Sequence, residues 1–192
     1  MHMSIRHALA CQMVMMSTGC ATLSEHQCRS ADWNVIGLSD GQRGYPPARI
    51  RDHQQACVRY QIEPDVAAYE SARARGITRY CTVDAGFQEG RKGRGYWNTC
   101  PFDSGPPFVA AYRRGYDIYR VLADVDEVNR RIFNVEGLAV APYLAADHRS
   151  AYQSQLFALY ALRASLDDLA WRMESARDQR KPAPDYVAPS FP

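Results

Sequence analysis

The sequence predicts a mainly α fold in two parts: a compact, disulfide-stabilised, Gly-rich helical module, then an antiparallel helical hairpin resembling a short coiled coil. Two observations predict it. Between Cys28 and Cys100, glycines recur at i, i+4 and i+7 in two separate runs, Gly37-Gly41-Gly44 and Gly86-Gly90-Gly93. Beyond Phe108, apolar residues alternate by three and four, which is the spacing of a helix seam. With 192 residues, the chain is long enough for one ordinary domain or two small ones.

The first element is a leader. Met1 to His7 holds Arg6 and no acidic residue, and Ala8 to Met16 (ALACQMVMM) is mostly apolar. Small residues follow and end at Gly19-Cys20. A basic start, a short apolar core and a small-residue exit are the order of a secretory signal. The core is too short to span a bilayer, which needs roughly 20 apolar residues. Residues 1–19 are therefore expected to be a signal peptide. Gly19-Cys20 resembles the lipobox of bacterial lipoproteins, although Ser17 stands where that motif usually has Leu. The resemblance implies lipid attachment at Cys20, with fatty acyl chains holding the protein to a membrane. Two or more chains hold stably where one does not. Ala21, rather than Asp, then implies the outer membrane with the body facing the periplasm. A simply secreted protein and a cytosolic one with core methionines are the alternatives.

Net charge is +2. That balance demands neither nucleic acid nor an acidic partner, and no nucleic-acid partner is expected. Of 23 basic residues only Lys92 and Lys181 are lysine. Genomic base composition accounts for that bias; the functional alternative is arginine forks gripping carboxylates or phosphates.

Apart from Cys11 in the leader and Cys20, four cysteines remain: Cys28, Cys57, Cys81 and Cys100. An exported chain meets an oxidising compartment, so two disulfides are the natural reading. Four cysteines allow three pairings. The glycine runs suggest an internal repeat, each with an acidic residue just before its middle glycine (Asp40 and Glu89). If each half is one copy of a unit, the pairs are Cys28–Cys57 and Cys81–Cys100. Loops of 20 to 30 residues then stabilise by about 3–4 kcal/mol each in the chain-entropy model. A sharper alternative uses His26, Cys28, His53 and Cys57 as four zinc ligands. No Cys-x-x-Cys knuckle supports it, and no metal, cofactor or catalytic cysteine is expected.

On a helix, glycines at i, i+4 and i+7 share one face. Each costs roughly 1 kcal/mol against alanine, so three on one face suit a close approach by another backbone. Trp33 extends the first face and Trp97 the second, and Ala72, Gly76 and Gly115 show the same small-residue habit. The alternative is that the glycines mark turns between short helices. Gly86 to Gly93 has no β-branched strand before it, so a nucleotide loop fails its context. GRKGRGYW (90–97) mixes cations and aromatics as a single-strand nucleic-acid contact would, but reads better as a solvated turn closing a disulfide loop.

PFDSGPPF (101–108) breaks the chain. A hairpin is expected over 109–180. Its first arm carries Ile118, Val121, Val125, Val128, Ile132 and Val135, with Asn134 and Gly137 offering a stop. Its second arm carries Tyr152, Leu159, Leu162, Leu166, Leu169, Met173 and Ala176, with Gln155 the polar interruption. Ser150 with Gln153, or Asp147, offers the cap. The hairpin's outer face is the candidate docking surface for a periplasmic protein. Lys181 to Pro192 carries four prolines and reads as an extended tail.

Taken together, Cys28-x4-Trp33-x3-Gly37-x2-Asp40-Gly41-x2-Gly44, His53-x3-Cys57, Pro64-Asp65-x3-Tyr69, Gly76-x3-Tyr80-Cys81, Gly86-x3-Gly90-x2-Gly93 and Cys100-Pro101 resemble a family of proteobacterial lipoproteins defined only by a domain of unknown function. The resemblance covers residues 20–101. It implies a lipidated, helical, cell-envelope protein and brings no activity. The expected function is thus a non-enzymatic structural or protein-interaction module of the envelope. The alternatives are an immunity or inhibitor lipoprotein against a secreted toxin, and a glycan-acting enzyme using Asp40 and Glu89. The last needs two carboxylates about 5–9 Å apart in one cleft.

Overall fold

The structure, a computed structural model, describes residues 21–178. Seven helices and no strand lie within them. Most begin on a side-chain cap, which supplies an acceptor to the unpaired N–H groups of a first turn. Ser24 and Gln27 form a capping box at α1 (Glu25–Arg29). Asp32 accepts from Asn34 and Val35 at the start of α2 (Trp33–Gln42). Two prolines precede α3 (Arg49–Val58). Asp65 caps α4 (Val66–Tyr80), and Thr82 caps α5 (Val83–Arg91). The two long helices are α6 (Gly105–Ala139) and α7 (Ala146–Asp178).

The glycine runs make two equivalent helix pairs, α2 on α4 and α5 on α6. Gly41 faces Gly76: a Cβ on Gly41 would lie 2.8 Å from the Gly76 Cα. Gly90 and Gly115 do the same in the second pair, where a Cβ on Gly90 would lie 2.8 Å from the Tyr116 nitrogen and one on Gly115 2.7 Å from the Arg91 nitrogen. Nothing larger than hydrogen fits. Both sequence readings of the glycines hold, each for part of the run. The first two glycines of each run lie inside a helix. The third ends it: Gly44 and Gly93 have φ of +71° and +66°, a left-handed conformation that favours glycine. Each of these two glycines also seats a tyrosine ring, Tyr80 on Gly44 and Tyr119 on Gly93.

Both disulfides brace this plan. Cys28–Cys57 ties α1 to α3, and Cys81–Cys100 ties the end of α4 to the segment before α6, each with Cα atoms 5.5 Å apart. Cys28, Trp33, Ile50, Cys57 and Tyr69 form the core of the first pair, with Leu23 from the N-terminal segment. Ile77, Tyr80, Cys81 and Phe108 join it to the second.

The 101–108 break is shorter than the sequence suggests. α6 already begins at Gly105, with Pro106 and Pro107 in its first turn, where a missing N–H leaves no bond unmade. One helix therefore serves both parts. Its first third belongs to the second glycine pair, and the rest packs on α7 through Val128, Ile132, Val135 and Leu159. At 1.5 Å per residue α6 is about 50 Å long. It also runs through Asn134 and Gly137, because burial of Val135 outweighs the roughly 1 kcal/mol glycine penalty. α7 starts four residues ahead of Ser150, so that serine caps nothing; Asp147 sits in the first turn, where its charge suits the helix dipole.

The second seam also differs from its expected register. The residues of α7 that pack inward are Tyr152, Leu156, Leu159, Leu166, Ala170 and Met173. They alternate by four and three, and Arg163, not Gln155, occupies the missing step. Leu162 and Leu169 fall beside the seam, on one flank, and stay exposed. Met173 returns onto Phe87, Ala111 and Ile118, and Arg91 pairs with Glu174 at 2.7 Å. The end of α7 is thereby fixed to the second glycine pair.

Candidate functional site

Four side chains from four separate segments meet inside the first helix pair. Asp40 lies on α2 beside Gly41, His53 on α3, Tyr69 on α4 and Thr22 in the N-terminal segment. Tyr69 Oη donates to Asp40 Oδ2 at 2.9 Å. His53 Nε2 meets the same oxygen at 2.8 Å, and His53 Nδ1 meets Thr22 Oγ1 at 2.8 Å. Asp40 and His53 are 5 % and 2 % exposed, and Tyr69 is fully buried. An ionised carboxylate only accepts, so His53 donates from Nε2. In the neutral ring, Nδ1 then accepts the Thr22 hydroxyl proton. Arg73, which donates to the Tyr45 carbonyl at 3.0 and 2.6 Å, contributes favourable charge towards Asp40. Burial first, then the hydrogen bond to Asp40, pushes the Tyr69 phenol well above its ordinary range. The ring therefore stays a proton donor.

The polarity of Thr22–His53–Asp40 is that of a nucleophile, base and acid, with the two ring nitrogens exchanged. Asp40 and His53 are sealed, however, and only Thr22 reaches the half-buried margin. The arrangement is suited to holding four segments together.

Glu89, the counterpart of Asp40, takes different partners. It pairs with Arg94 at 3.1 Å and Lys92 at 3.9 Å in the turn after α5. Asp40 and Glu89 thus sit on separate helix pairs, and burial of Asp40 removes it from any open cleft. The glycan-acting reading loses the carboxylate pair it was built on.

The zinc set is not assembled either. Cys28 and Cys57 are bonded to each other, His26 is exposed, and His53 is held by Asp40 and Thr22. Among the described residues no group of three or more His, Cys, Asp or Glu is placed to hold a metal. In GRKGRGYW, Trp97 is exposed and lies in the loop, off the helical face it was expected to extend. Tyr96 turns inward instead, against Phe108 and Tyr112. The leader, Cys20 and the Lys181–Pro192 tail lie outside the described residues.

Sequence reasoning named Asp40 and His53 separately, one for a carboxylate pair with Glu89 and one for a zinc set, and the fold assembles neither group. Thr22 it missed, because a contact spanning 31 residues leaves no local pattern.

A second feature lies at the far end of the hairpin. Phe133, Gly137 and Val140 line a shallow depression together with Glu136, and Glu136 accepts a hydrogen bond from Tyr160 across the pair. Phe157 lies one turn from Tyr160. Phe133, Val140 and Phe157 are each more than three-quarters exposed, and Tyr143 in the connecting loop is wholly exposed. Clustered apolar side chains left in solvent mark interaction surfaces more often than single ones do. Among the described residues no helix is long and apolar enough to cross a membrane.

Residues 32–117 match the model of a family described as "Protein of unknown function (DUF2799)". The match starts at the Asp32 cap and ends just past Gly115. It takes in both glycine-packed pairs and stops before the hairpin seam. No curated protein and no solved structure matches the chain.

Proposed function

We propose that this protein is a lipid-anchored, non-enzymatic module of the cell envelope, held through Cys20 to the outer membrane and facing the periplasm, whose hairpin docks another protein. The observation that carries the docking role is the set of large apolar side chains left exposed towards the hairpin tip: Phe133, Val140, Tyr143 and Phe157. An apolar patch on a stiff arm, joined to a body whose own core is closed, suits a partner's apolar groove. The basic-apolar-small order ending at Cys20 supports the address. So do two disulfides in one small body, which belong in an oxidising compartment.

Intact mass of the protein taken from membranes, with and without reduction, tests the address. The expected mass is the chain from Cys20 plus acyl chains, rising by four hydrogens when both disulfides open. An unacylated chain with four free thiols would overturn it. A photo-crosslinker in place of Phe157 tests the docking role. One discrete adduct, lost in Phe133→Ser, is expected; no adduct in cells removes the role. An inhibitor of a secreted toxin would use the same surface, and the identity of the adduct separates that case from a structural one.

A further inference from the structure

The Thr22–His53 bond has a geometric consequence for an anchored chain. Thr22 is hydrogen-bonded to His53, and Leu23 is buried in the first core. Ser24 then caps α1, and four residues later Cys28 is bonded to Cys57. The chain is thus fixed to the body from Thr22 onward. Only Ala21 separates that fixed point from Cys20. Two residue steps of extended chain span at most about 7 Å.

We propose that the end of the body formed by the 22–24 segment, α1 and α3 lies against the lipid headgroups, and that the Thr22–His53–Asp40 latch keeps it there by removing any free tether. This rests on the lipid anchor at Cys20. The body is pinned by its first pair, so orientation follows from chain length. The two helices carry Arg29, Arg49 and Arg51 against Glu25 and Asp52, and Arg59 follows at the end of α3. Arg29 and Arg49 pair with the two acids, which leaves Arg51 and Arg59 as an excess of cations suited to anionic headgroups. The latch also explains a buried polar network that, among the described residues, the second helix pair lacks. Glycine packing proceeds there without one, so the network's distinct task is to hold α3 and the start of the chain.

The test is amide hydrogen exchange of the acylated protein on vesicles of phosphatidylethanolamine and phosphatidylglycerol, compared with the same chain without its lipid in solution. Several-fold slower exchange confined to residues 22–29 and the exposed side of α3 is expected, with the hairpin unchanged. Inserting a flexible Gly/Ser linker after Ala21 should abolish that protection and leave the melting temperature unaltered. An acylated, vesicle-bound protein with exchange at these segments equal to that in solution would overturn the inference and leave the anchor standing. Protection at the hairpin tip instead would overturn it too. Protection that survives the linker would show lipid affinity independent of tether length and remove the latch's role. A protein without acyl chains that does not float with vesicles would overturn the anchor and the inference together.

Discussion

In the first helix pair the residue of α4 whose carbonyl rests on α2 at Gly37 is Tyr69; in the second, the residue of α6 resting on Gly86 is Phe108. The correspondence continues through Gly41 and Gly90, through Gly76 and Gly115, and ends with Tyr80 over Gly44 and Tyr119 over Gly93. Even the turn is shared: Tyr45 N–H donates to the Asp40 carbonyl and Arg94 N–H to the Glu89 carbonyl, both at 3.0 Å. Yet the interiors differ. Around Tyr69 lies a polar chain ending at Thr22. Around Phe108 lie apolar groups instead, the rings of Tyr80 at 5.0 Å and Tyr96 at 4.8 Å with Ile77 and Cys81. The backbone approach is therefore what the two copies need in common. The side chains behind it are free to take up other work.

The largest expected effect breaks what the copies share. Gly41→Leu and Gly90→Leu each force a branched side chain into the facing backbone. Each should destabilise by more than about 4 kcal/mol, an exceptional value for one substitution. Chemical denaturation of both variants checks this. If either variant unfolds within 1 kcal/mol of the parent, a threshold well inside ordinary mutational effects, the close approach is not the common element.

The next effect is confined to the first copy. His53→Ala leaves Asp40 buried with one partner fewer, and also opens a cavity. Removing one member of a buried charged network typically costs about 3–5 kcal/mol. The second pair has no equivalent residue to lose. A loss below about 1 kcal/mol would mean that the network is solvated in solution.

The hairpin supplies the third expectation, and it bears on how much could be read from sequence. Leu159 is 4 % exposed and Leu162 is 42 % exposed. Leu159→Ala should cost about 2–4 kcal/mol, whereas Leu162→Ala should stay below about 1 kcal/mol. The helical period of α7 was visible in its leucines; the seam's exact line was not. Leu162 and Leu169 lie at heptad spacing from each other, as Leu159 and Leu166 do, and only contact with α6 decides between the two lines. The Cys and Gly pattern was more legible, because a glycine forced by backbone contact tolerates nothing else. The half-turn identity of the third glycine was recoverable only with φ in hand. Thr22–His53–Asp40–Tyr69 was not legible at all. Its members come from four segments, and each residue alone has commoner uses.

Exchanging the two interiors gives a smaller effect. Tyr69→Phe copies the second pair's choice and removes one of two hydrogen bonds to Asp40, costing about 1–2 kcal/mol. Phe108→Tyr adds a hydroxyl to a fully buried, apolar site and should cost about 1–3 kcal/mol. The alkaline limb of the stability curve separates the copies further. Tyr69 and Tyr80 are both raised above the tyrosine value of 10.0, mainly by burial, with Asp40 and Glu89 respectively adding to it. The folded state therefore keeps protons that the unfolded chain loses. Their contribution is fully present below pH 10 and falls as pH rises beyond it, by up to about 1.4 kcal/mol per pH unit for each group. Tyr69→Phe should flatten that fall and leave the Tyr80 share. An unchanged alkaline slope in this variant would mean that Tyr69 ionises freely.

The smallest expected effect tests whether glycines outside the repeat matter. Gly95 follows the second run in the same loop, but a Cβ added there meets nothing within 4 Å, and its φ is outside the left-handed region. Gly93, two residues earlier, has φ of +66° and a tyrosine ring against it. Gly95→Ala should stabilise by about 0.4–1 kcal/mol, because it narrows the unfolded ensemble without straining the fold. Gly93→Ala should destabilise by more than that, since alanine pays for the left-handed backbone and also meets Tyr119. Thermal melts of the two variants give opposite signs if the repeat, not local glycine content, fixes this loop. The same sign for both would detach Gly93 from the pattern that Gly44 defines in the first pair.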